Sequence, residues 1–525
     1  MHRNFIVAGG GFAGLFTALH LNDRLSKTSI NDIEGDGFTI SVIRSKSVGT
    51  IGVGESIAQT ILPALVKFGV DQYKFFKESN ATLKLGAKFT NWHKPNDYFY
   101  HPLMSSINLF NINYETLEWL KKNQFVYPLA NNLPINESIS DVLSEKNLVP
   151  FTSNLSPIPM EDHFKKHPLE AFGLHFDSIA VLEYLENFIE TSKPNIKLIE
   201  GNILNWSLNS ETGFVESLLL DHDRKIEGNF YFDCTGFKRL FGNKIYDLKW
   251  KDSSLIAQDT ACLIENGVPW NPSDTIPLHT SITAMTNGWM FAIPLQHRIG
   301  TGYVHSSRYS NVSIDAIQSE HIKYWENKGY KNLNPGPVLK WTPGHFETPL
   351  YKNILMVGLS EGFLEPLDSN SLILTENSLH TFMEDWNPLT NFTEFEYTQY
   401  NNARNKSFEW TASILSLMHQ VKNKNLNSSY WNHYKNNYPI KFSDINSFLR
   451  RPDIPEGSPF GLATLALFSS KYNLINMDRI INDDKLESQL SKQTGKEFYD
   501  TIHMYHNQLI QHPLINHNTW LNQFK

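Results

Sequence analysis

The glycine-rich turn near the start of the chain limits the possible folds most strongly. The segment FIVAGGGFAGLFTALHL, residues 5–21, places a short apolar strand before three glycines and a helical periodicity after them. Gly9, Gly11 and Gly14 have the GxGxxG spacing. In that motif the first glycine allows a tight turn, the second lets the backbone approach a pyrophosphate, and the third lets helix and strand pack closely. Strand, turn and helix together favour a dinucleotide-binding fold over an accidental glycine turn.

The strand after this helix does not settle which dinucleotide is bound. It reads FTISVIR, residues 38–44, and ends in Arg44 where an acidic residue would contact the adenosine ribose. Arg44 either meets a phosphate, as an NADP site would require, or faces water. A later strand, residues 229–237, breaks into a turn after Asp233, as strands beneath FAD do in flavoprotein monooxygenase folds. Residues 352–379 give a third strand, turn and helix, and three separated pieces favour FAD.

Composition excludes several classes of protein. The 525 residues carry a formal net charge of −8, without the basic surface that a nucleic-acid-binding protein needs. No apolar run is long enough to cross a membrane, and the apolar N-terminal stretch is too short for a signal peptide. Two cysteines cannot build a disulfide scaffold, and the histidines lack metal-ligand spacing, so no metal is expected. A cytoplasmic location is the expectation.

One short segment raises a question about a lysine. Residues 81–89, ATLKLGAKF, alternate between apolar and polar positions as a half-buried strand does. Taken alone, this pattern predicts that Lys84 and Lys88 both point into water, because charged side chains are mostly exposed.

Several segments, in this order, resemble the flavin-dependent halogenases of the tryptophan halogenase family. They are GGGFAG (9–14), IGVGES (51–56), ATLKLGAKFTNW (81–92), LHFDS (174–178), FDCTGF (232–237), GWMFAIPL (288–295) and GFLEPLDSNSL (362–372). The resemblance implies an α/β fold: an FAD-binding, Rossmann-like domain of the flavoprotein monooxygenase type, with an antiparallel substrate sheet and a C-terminal helical region. We expect residues 1–385 to form the FAD-binding module, with substrate-side insertions at about 95–165 and 245–340. Residues 386–525 would form a mainly helical substrate-side region.

The resemblance also implies a chemistry. A separate flavin reductase would supply reduced FAD, which with O2 would convert a halide to hypohalous acid. Lys84 would receive this oxidant and direct it to an electron-rich aromatic small molecule such as an indole or phenol, with Asp368 as the assisting carboxylate. The cofactor would contact Gly9, Gly11, Phe12, Ala13, Gly14, Arg44, Gly54, Glu55, Ser56, Asp233, Gly358 and Leu367. The halide would lie at Ser369, Asn370 and Ser371, and a barrier between flavin and substrate would comprise Trp289, Phe291 and Pro294.

Three positions depart from the family pattern. Phe291 replaces a tryptophan, Asp368 a glutamate and Asn370 a threonine. These departures indicate an outlying member, for which a viral source is one option, and we hypothesise a preference for bromide or iodide over chloride. Two alternatives stay open: a flavin-dependent aromatic hydroxylase and a flavin-binding protein that has lost catalysis. A homo-oligomer is also an open question.

Overall fold

The computed structural model describes residues 3–27, 37–45, 52–103, 139–152, 168–386, 392–443, 453–456, 458–472, 474, 500 and 513–524. Its helices are α1 (Phe12–Lys27), α2 (Ile61–Lys67), α3 (Gln72–Glu78), α4 (Ile139–Lys146), α5 (Ser178–Ser192), α6 (Ile314–Glu326), α7 (Asn370–Asp385), α8 (Glu394–Met418), α9 (Ser429–Asn436), α10 (Leu462–Lys471) and α11 (His517–Leu521). Its strands from β1 to β13 are Arg3–Ala8, Phe38–Arg44, Glu55–Ile57, Thr82–Lys84, Gly86–Thr90, Tyr98–Pro102, Leu148–Thr152, Gly173–Phe176, Ile196–Glu200, Ile203–Leu208, Val215–Leu220, Lys225–Glu227 and Phe230–Asp233. Strands β14 to β25 are Trp250–Asp252, Thr260–Ile264, Val268–Pro269, His279–Met285, Gly288–Pro294, Arg298–His305, Pro335–Lys340, Gly344–Phe346, Leu350–Tyr351, Ile354–Met356, Gly362–Phe363 and Leu514–Asn516.

A six-stranded sheet, in the order β22-β23-β13-β1-β2-β9, carries the glycine-rich turn. Five of its strands run parallel, and β22 is an antiparallel edge strand. Strand β1 lies near the middle and its apolar residues are buried, since helices cover the sheet. The Rossmann-like fold predicted from the sequence is confirmed. Within the described residues, no helix is both long and apolar enough to cross a bilayer.

The second large sheet has the order β20-β15-β19-β18-β17-β5-β6, with β16 added beside β19. Its neighbours are antiparallel except β17 and β5. Every residue of β18 is buried, because both faces of this central strand are covered. Trp289 and Phe291 pack in a cluster with helices α8, α9 and α10, whereas Met290 packs in a cluster with α6. The antiparallel substrate sheet predicted from the sequence is thus present.

Residues 81–89 do not form the single alternating strand that the sequence pattern predicts. Strand β4 pairs with β8 in a small sheet with β3, whereas β5 joins the large antiparallel sheet. The chain changes sheet at Leu85, whose N–H donates to the carbonyl of Leu278 at 2.7 Å. Both faces of β4 are covered, so Lys84 is fully buried, at 0% exposure. The expectation of an exposed Lys84 from the pattern alone is wrong.

Candidate active site

The three glycines of the first turn have surroundings that are compatible with the three roles that their spacing predicts. Gly9 has a φ of 121°, and a Cβ there would lie 2.2 Å from the carbonyl oxygen of Cys234. A Cβ on Gly14 would lie 1.8 Å from the carbonyl oxygen of Gly9, because α1 packs closely on the turn. Gly11, in contrast, has no atom within 4 Å of an added Cβ and lines an internal cavity. This open backbone suits the close approach of a pyrophosphate.

One cavity of about 380 Å³ unites most of the predicted site. Predicted cofactor residues that line it are Gly11, Phe12, Ala13, Gly54, Glu55, Ser56 and Gly358. The barrier residues Trp289 and Phe291 line it as well, as do Asp368, Ser369 and Ser371. The fold therefore brings the glycine-rich turn, strand β18 and the start of α7 to one cavity, although they are far apart in the chain.

The second glycine-rich loop contributes a carboxyl group to this cavity. Gly54 has a φ of 93°, a conformation that favours glycine, and Glu55 and Ser56 follow it along the cavity wall. The Glu55 side chain is open to the cavity but enclosed by protein, and this burial raises the pKa of its carboxyl group to about 7.

Several other predicted cofactor residues are not among those that line the cavity. The guanidinium of Arg44 forms ion pairs with Glu186 and, at 3.6 Å, with Glu190 of α5. The carboxylate of Asp233 accepts hydrogen bonds from Thr235 and from the N–H of Phe241, so it holds its own turn together. Leu367 is buried in the turn before Asp368. For Arg44, Asp233 and Leu367, cofactor contact stays a prediction.

Lys84 reaches the turn that carries the predicted carboxylate. Its Nζ donates a hydrogen bond to Oγ of Ser369 at 2.9 Å. Burial lowers the pKa of Lys84 to about 8, and the nearby Asp368 acts in the opposite direction. Lys88 differs, since it lies 3.7 Å from the centre of the Tyr98 ring and 3.5 Å from the Glu145 carboxylate. The Lys88 side chain is 23% exposed, because these neighbours cover part of it.

The turn before α7 holds two adjacent residues in the left-handed region. Asp368 has a φ of 57° and Ser369 a φ of 62°. Asn370 stabilises this turn, because its Nδ2 donates to the carbonyls of Glu365 and Leu367 at 2.8 Å each. Asn370 is itself buried behind the cavity wall, whereas Ser369 and Ser371 line the cavity. Of the three predicted halide residues, Asn370 therefore stabilises the turn with its side chain and does not line the cavity.

The barrier strand is tied to the same turn by a buried hydrogen bond. Nε1 of Trp289 donates to Oε2 of Glu365 at 3.3 Å. Burial raises the pKa of Glu365 well above its usual value. Trp289 and Phe291 face the cavity from alternate positions of β18, whereas the Pro294 carbonyl accepts a hydrogen bond from Thr82 at 2.6 Å. Pro294 thus links the barrier strand to the strand that carries Lys84.

Sequence reasoning indicates little about the partner of Asp368. Oδ2 of Asp368 lies 2.5 Å from Nδ1 of His101, and Nε2 of the same ring lies 2.9 Å from Oγ1 of Thr464 on α10. The segment FYHPL places His101 on β6, but its partners are 267 and 363 residues away in the chain. The only available signal was a histidine in an otherwise apolar strand.

His175, from the LHFDS segment, forms a second network that sequence reasoning missed. The Thr82 hydroxyl donates to the Pro294 carbonyl, so it accepts from Nδ1 of His175 at 3.0 Å. Nε2 of the ring then accepts from the Thr280 hydroxyl at 3.0 Å, and Ser56 lies 3.0 Å from that hydroxyl. This buried chain connects the cavity loop at Ser56 to the strand that carries Lys84.

The chain is similar to several known proteins. A family model described as tryptophan halogenase matches residues 4–452. The 7-chloro-L-tryptophan 6-halogenase KtzR of Kutzneria sp. (strain 744) is 24% identical over 400 residues, which cover 73% of each chain. Among solved structures, a tryptophan halogenase from Shewanella frigidimarina NCIMB 400 has a TM-score of 0.82 at 23% identity, covering 99% of this chain and 97% of its own. BrvH, a flavin-dependent halogenase from Brevundimonas sp. BAL3, has a TM-score of 0.75 at 21% identity, covering 100% and 99%.

Proposed function

The chain belongs to the tryptophan halogenase family, whose members are flavin-dependent oxidoreductases, and we propose that Lys84 directs the halogenating oxidant to its substrate. Enzymes of this kind use a halide and reduced FAD that a separate flavin reductase supplies. Their substrates are aromatic small molecules. The finer proposal concerns which residues of this chain do the work, which halide they use and which aromatic they modify.

One observation carries the proposal. A fully buried lysine donates a hydrogen bond to Ser369, and Ser369 and the buried Asp368 both line the cavity that the glycine-rich turn also lines. An ammonium group is costly to bury, so a chain rarely keeps one in its core without a use for it. An ordinary flavin-binding cavity has no need of this pair. Lys84 and Asp368 therefore support halogenation over simple hydroxylation.

The cavity fits FAD at the positions that matter for the proposal. The free space above Gly11 and the start of α1 would accept the pyrophosphate, with Phe12 and Ala13 beside it. Gly54, Glu55 and Ser56 would border the ring system. Bound reduced FAD supplies, with O2, the oxidising power that converts a halide to hypohalous acid.

The residues of the chain would then control this oxidant. Lys84, as an ammonium, donates one hydrogen to Ser369 and can donate another to the oxygen of hypohalous acid, which makes the halogen more electrophilic. Trp289 and Phe291 would form the wall that keeps the substrate away from the flavin. Asp368 would take up the proton that the aromatic ring loses.

For the halide we propose the start of α7, where Ser369 and Ser371 line the cavity. Backbone N–H groups at the start of a helix favour an anion, and α7 has 16 residues. Asn370 shapes this turn from behind, which supports the hypothesis that the site differs from one with threonine there. We expect bromide or iodide to be used in preference to chloride. Turnover in equimolar halide mixtures, read by product mass, would contradict this if chloride dominated.

The proposed function can be tested by mass spectrometry of turnover products. The protein is supplied with FAD, a flavin reductase, NADH and one halide at a time, against a panel of indoles and phenols. Lys84→Ala and Asp368→Ala are run beside the wild type, with Lys88→Ala as the control lysine. We expect a halide-specific mass shift that is lost in Lys84→Ala and kept in Lys88→Ala.

Other outcomes identify the alternatives. A product with added oxygen and no halide dependence would indicate an aromatic hydroxylase. Peroxide without product would indicate a flavin-binding protein that has lost catalysis. Rapid oxidation of NADH with FAD but without the reductase would contradict the need for a separate partner.

A further inference from the structure

We propose that His101 is a positioning residue that holds one oxygen of Asp368 and leaves the other free to accept the proton of the aromatic substrate. This inference rests on the proposed function and assigns separate roles to the two oxygens of the Asp368 carboxylate. It follows from three features of the structure: the contacts of the His101 ring, the unpaired oxygen of Asp368, and the hydrogen bond from Lys84 to Ser369 rather than to Asp368.

The His101 ring is fixed at both nitrogens. Nδ1 lies 2.5 Å from Oδ2 of Asp368, and a carboxylate can only accept, so Nδ1 carries the hydrogen. Nε2 lies 2.9 Å from the Thr464 hydroxyl. The side chains of His101 and Asp368 are 11% and 2% exposed, so water competes little for this hydrogen bond. A histidine held at both ends gives the carboxylate a fixed orientation.

The second oxygen of Asp368 is left without a donor. Oδ1 is buried and has no hydrogen-bond partner among the described residues, although Asp368 lines the cavity. A buried carboxylate oxygen without a donor destabilises the folded chain. That cost is expected where the oxygen must be ready to accept a proton from a bound substrate.

The position of Lys84 explains why the Asp368 carboxylate needs to be held by His101. Its Nζ donates to Ser369, the next residue, and a free carboxylate beside an ammonium would turn towards it. Such an ion pair would mask both the donor and the base. Asp368 is one methylene shorter than glutamate and its backbone is left-handed, so the path of its carboxylate is already restricted. The hydrogen bond from His101 to Oδ2 holds the carboxylate instead.

The step balances without a further reactant. The aromatic carbon forms its bond to the halogen while the O–X bond of hypohalous acid breaks, and the electron pair stays on oxygen. That oxygen takes a proton from the Lys84 ammonium and leaves as water. The ring C–H bond then breaks, its electrons restore aromaticity, and the proton goes to Oδ1 of Asp368. Transfer of this proton to the neutral Lys84 amine restores both groups.

The first test uses three variants. His101→Leu removes the donor, His101→Asn keeps an N–H donor at a similar distance from the backbone, and His279→Asn changes a buried histidine of the neighbouring strand β17. We expect His101→Leu to lower kcat about 10- to 100-fold with little change in KM, and His101→Asn to recover much of that loss. His279→Asn should behave as wild type.

An isotope effect separates positioning from a general structural role. Single-turnover rates are compared for indole and ring-deuterated indole. Loss of the ring proton is usually fast in such substitutions, so we expect a rate ratio near one for wild type. In His101→Leu the misplaced carboxylate makes this step slow, so the ratio should rise clearly above one and fall again in His101→Asn. A ratio near one in all variants, or full activity of His101→Leu, would overturn the inference.

A measurement without cofactor or substrate keeps the inference separate from the proposed function. Proton NMR of the protein alone should show a strongly deshielded imidazole N–H resonance from the short bond between His101 and Asp368. We expect it to vanish in His101→Asn and in Asp368→Asn and to persist in His279→Asn. Its absence from wild type would contradict the inference. A wild-type protein that shows this resonance but gives no halide-dependent product would contradict the proposed function instead.

Discussion

At the scale of single residues, the site keeps two adjacent residues in a costly backbone conformation. Asp368 and Ser369 both have positive φ, which costs an L-residue roughly 1–2 kcal/mol each. Asn370 and the bond from Trp289 to Glu365 hold the turn in place. Strain of this kind persists only where surrounding contacts enforce it, and it is concentrated at functional sites. Here the enforced turn presents the carboxylate and the hydroxyl that contacts Lys84.

The buried ammonium of Lys84 should make the protein less stable near neutral pH. Its folded pKa is about 8 against an ordinary value of 10.5, so the unfolded chain binds the proton more tightly. Stability therefore rises with pH between these two values and is lowest, for this group, below pH 8. We expect Lys84→Met to raise the free energy of unfolding near neutral pH by about 3 kcal/mol, and by much less near pH 10.5.

Denaturant unfolding of the protein without cofactor, at both pH values, measures this difference. Lys88→Met is the matched control, because Lys88 is only partly buried. A stabilisation by Lys84→Met that does not change with pH would contradict the lowered pKa.

The same pKa distinguishes two roles for Lys84 in activity. As pH rises through about 8, the population of the Lys84 ammonium, which would hydrogen-bond hypohalous acid, decreases. The population of the neutral amine, which would form a haloamine, increases over the same range. The hydrogen bond from Lys84 to Ser369 fits the ammonium, which keeps two further hydrogens to donate. We expect the single-turnover halogenation rate to fall as pH rises through about 8. A rate that instead increases through this range would favour the haloamine.

At the scale of elements, the features that depend on residues close together in the chain were predicted best from the sequence. The roles of Gly9, Gly11 and Gly14 are predicted from a motif six residues long, and the tight turn at Gly9 and the close packing at Gly14 are found as expected. Residues 81–89 were mispredicted because the alternation is continuous while the pairing partners change at Leu85. No local pattern shows which sheet a strand joins.

The polar contacts of the site could not be predicted for the same reason. The partners of His101, His175 and Arg44 lie on elements more than 90 residues away in the chain. Only the topology brings them together. The family resemblance supplied Lys84 and Asp368, but it could not indicate that the shorter carboxylate contacts a histidine.

The His175 network links two elements and makes a prediction at this scale. His175→Leu removes both ring nitrogens, so Thr82 and Thr280 lose their buried partner and Ser56 loses its support in the cavity loop. A buried hydrogen bond contributes about 1 kcal/mol, so the affinity for FAD should fall about fivefold. Quenching of flavin fluorescence measures this affinity. His345→Leu, which alters a buried histidine bonded to Asn405 away from the cavity, is the control.

At the scale of the whole molecule, the end of the chain returns to the first module. Strand β25 pairs with β7, and the fully buried Trp520 packs against Phe76 and Phe151 with ring centres 5.1 and 5.2 Å apart. Residues 513–524 therefore belong to the same hydrophobic cluster as α1 and α3. The division at residue 385 into an FAD-binding module and a substrate-side region stays a proposal. Residues 513–524 follow residue 385 in the chain but pack against the FAD-binding module.

This return of the chain reaches the strand that carries Lys84 through His517. Its Nδ1 lies 2.9 Å from the carbonyl of Ile276, so that nitrogen donates, and Nε2 accepts the N–H of Leu83 at 3.4 Å. Leu83 precedes Lys84, so helix α11 supports the position of the buried ammonium from 434 residues away. His517→Ala would leave the Leu83 N–H without an acceptor and open a cavity beneath β4.

We expect two effects of His517→Ala that a distant destabilisation would not produce together. Amide hydrogen exchange should rise most in peptides covering 82–84, because the Leu83 N–H loses its acceptor while the hydrogen bonds of the parallel sheet are unchanged. Mass spectrometry under native conditions measures this exchange. Lys84 should also become more reactive towards an acylating reagent, since its burial depends on β4. His380→Ala, on the exposed face of α7, is the control. If exchange rose equally throughout the chain, His517 would contribute to overall stability but would not hold Lys84 in place.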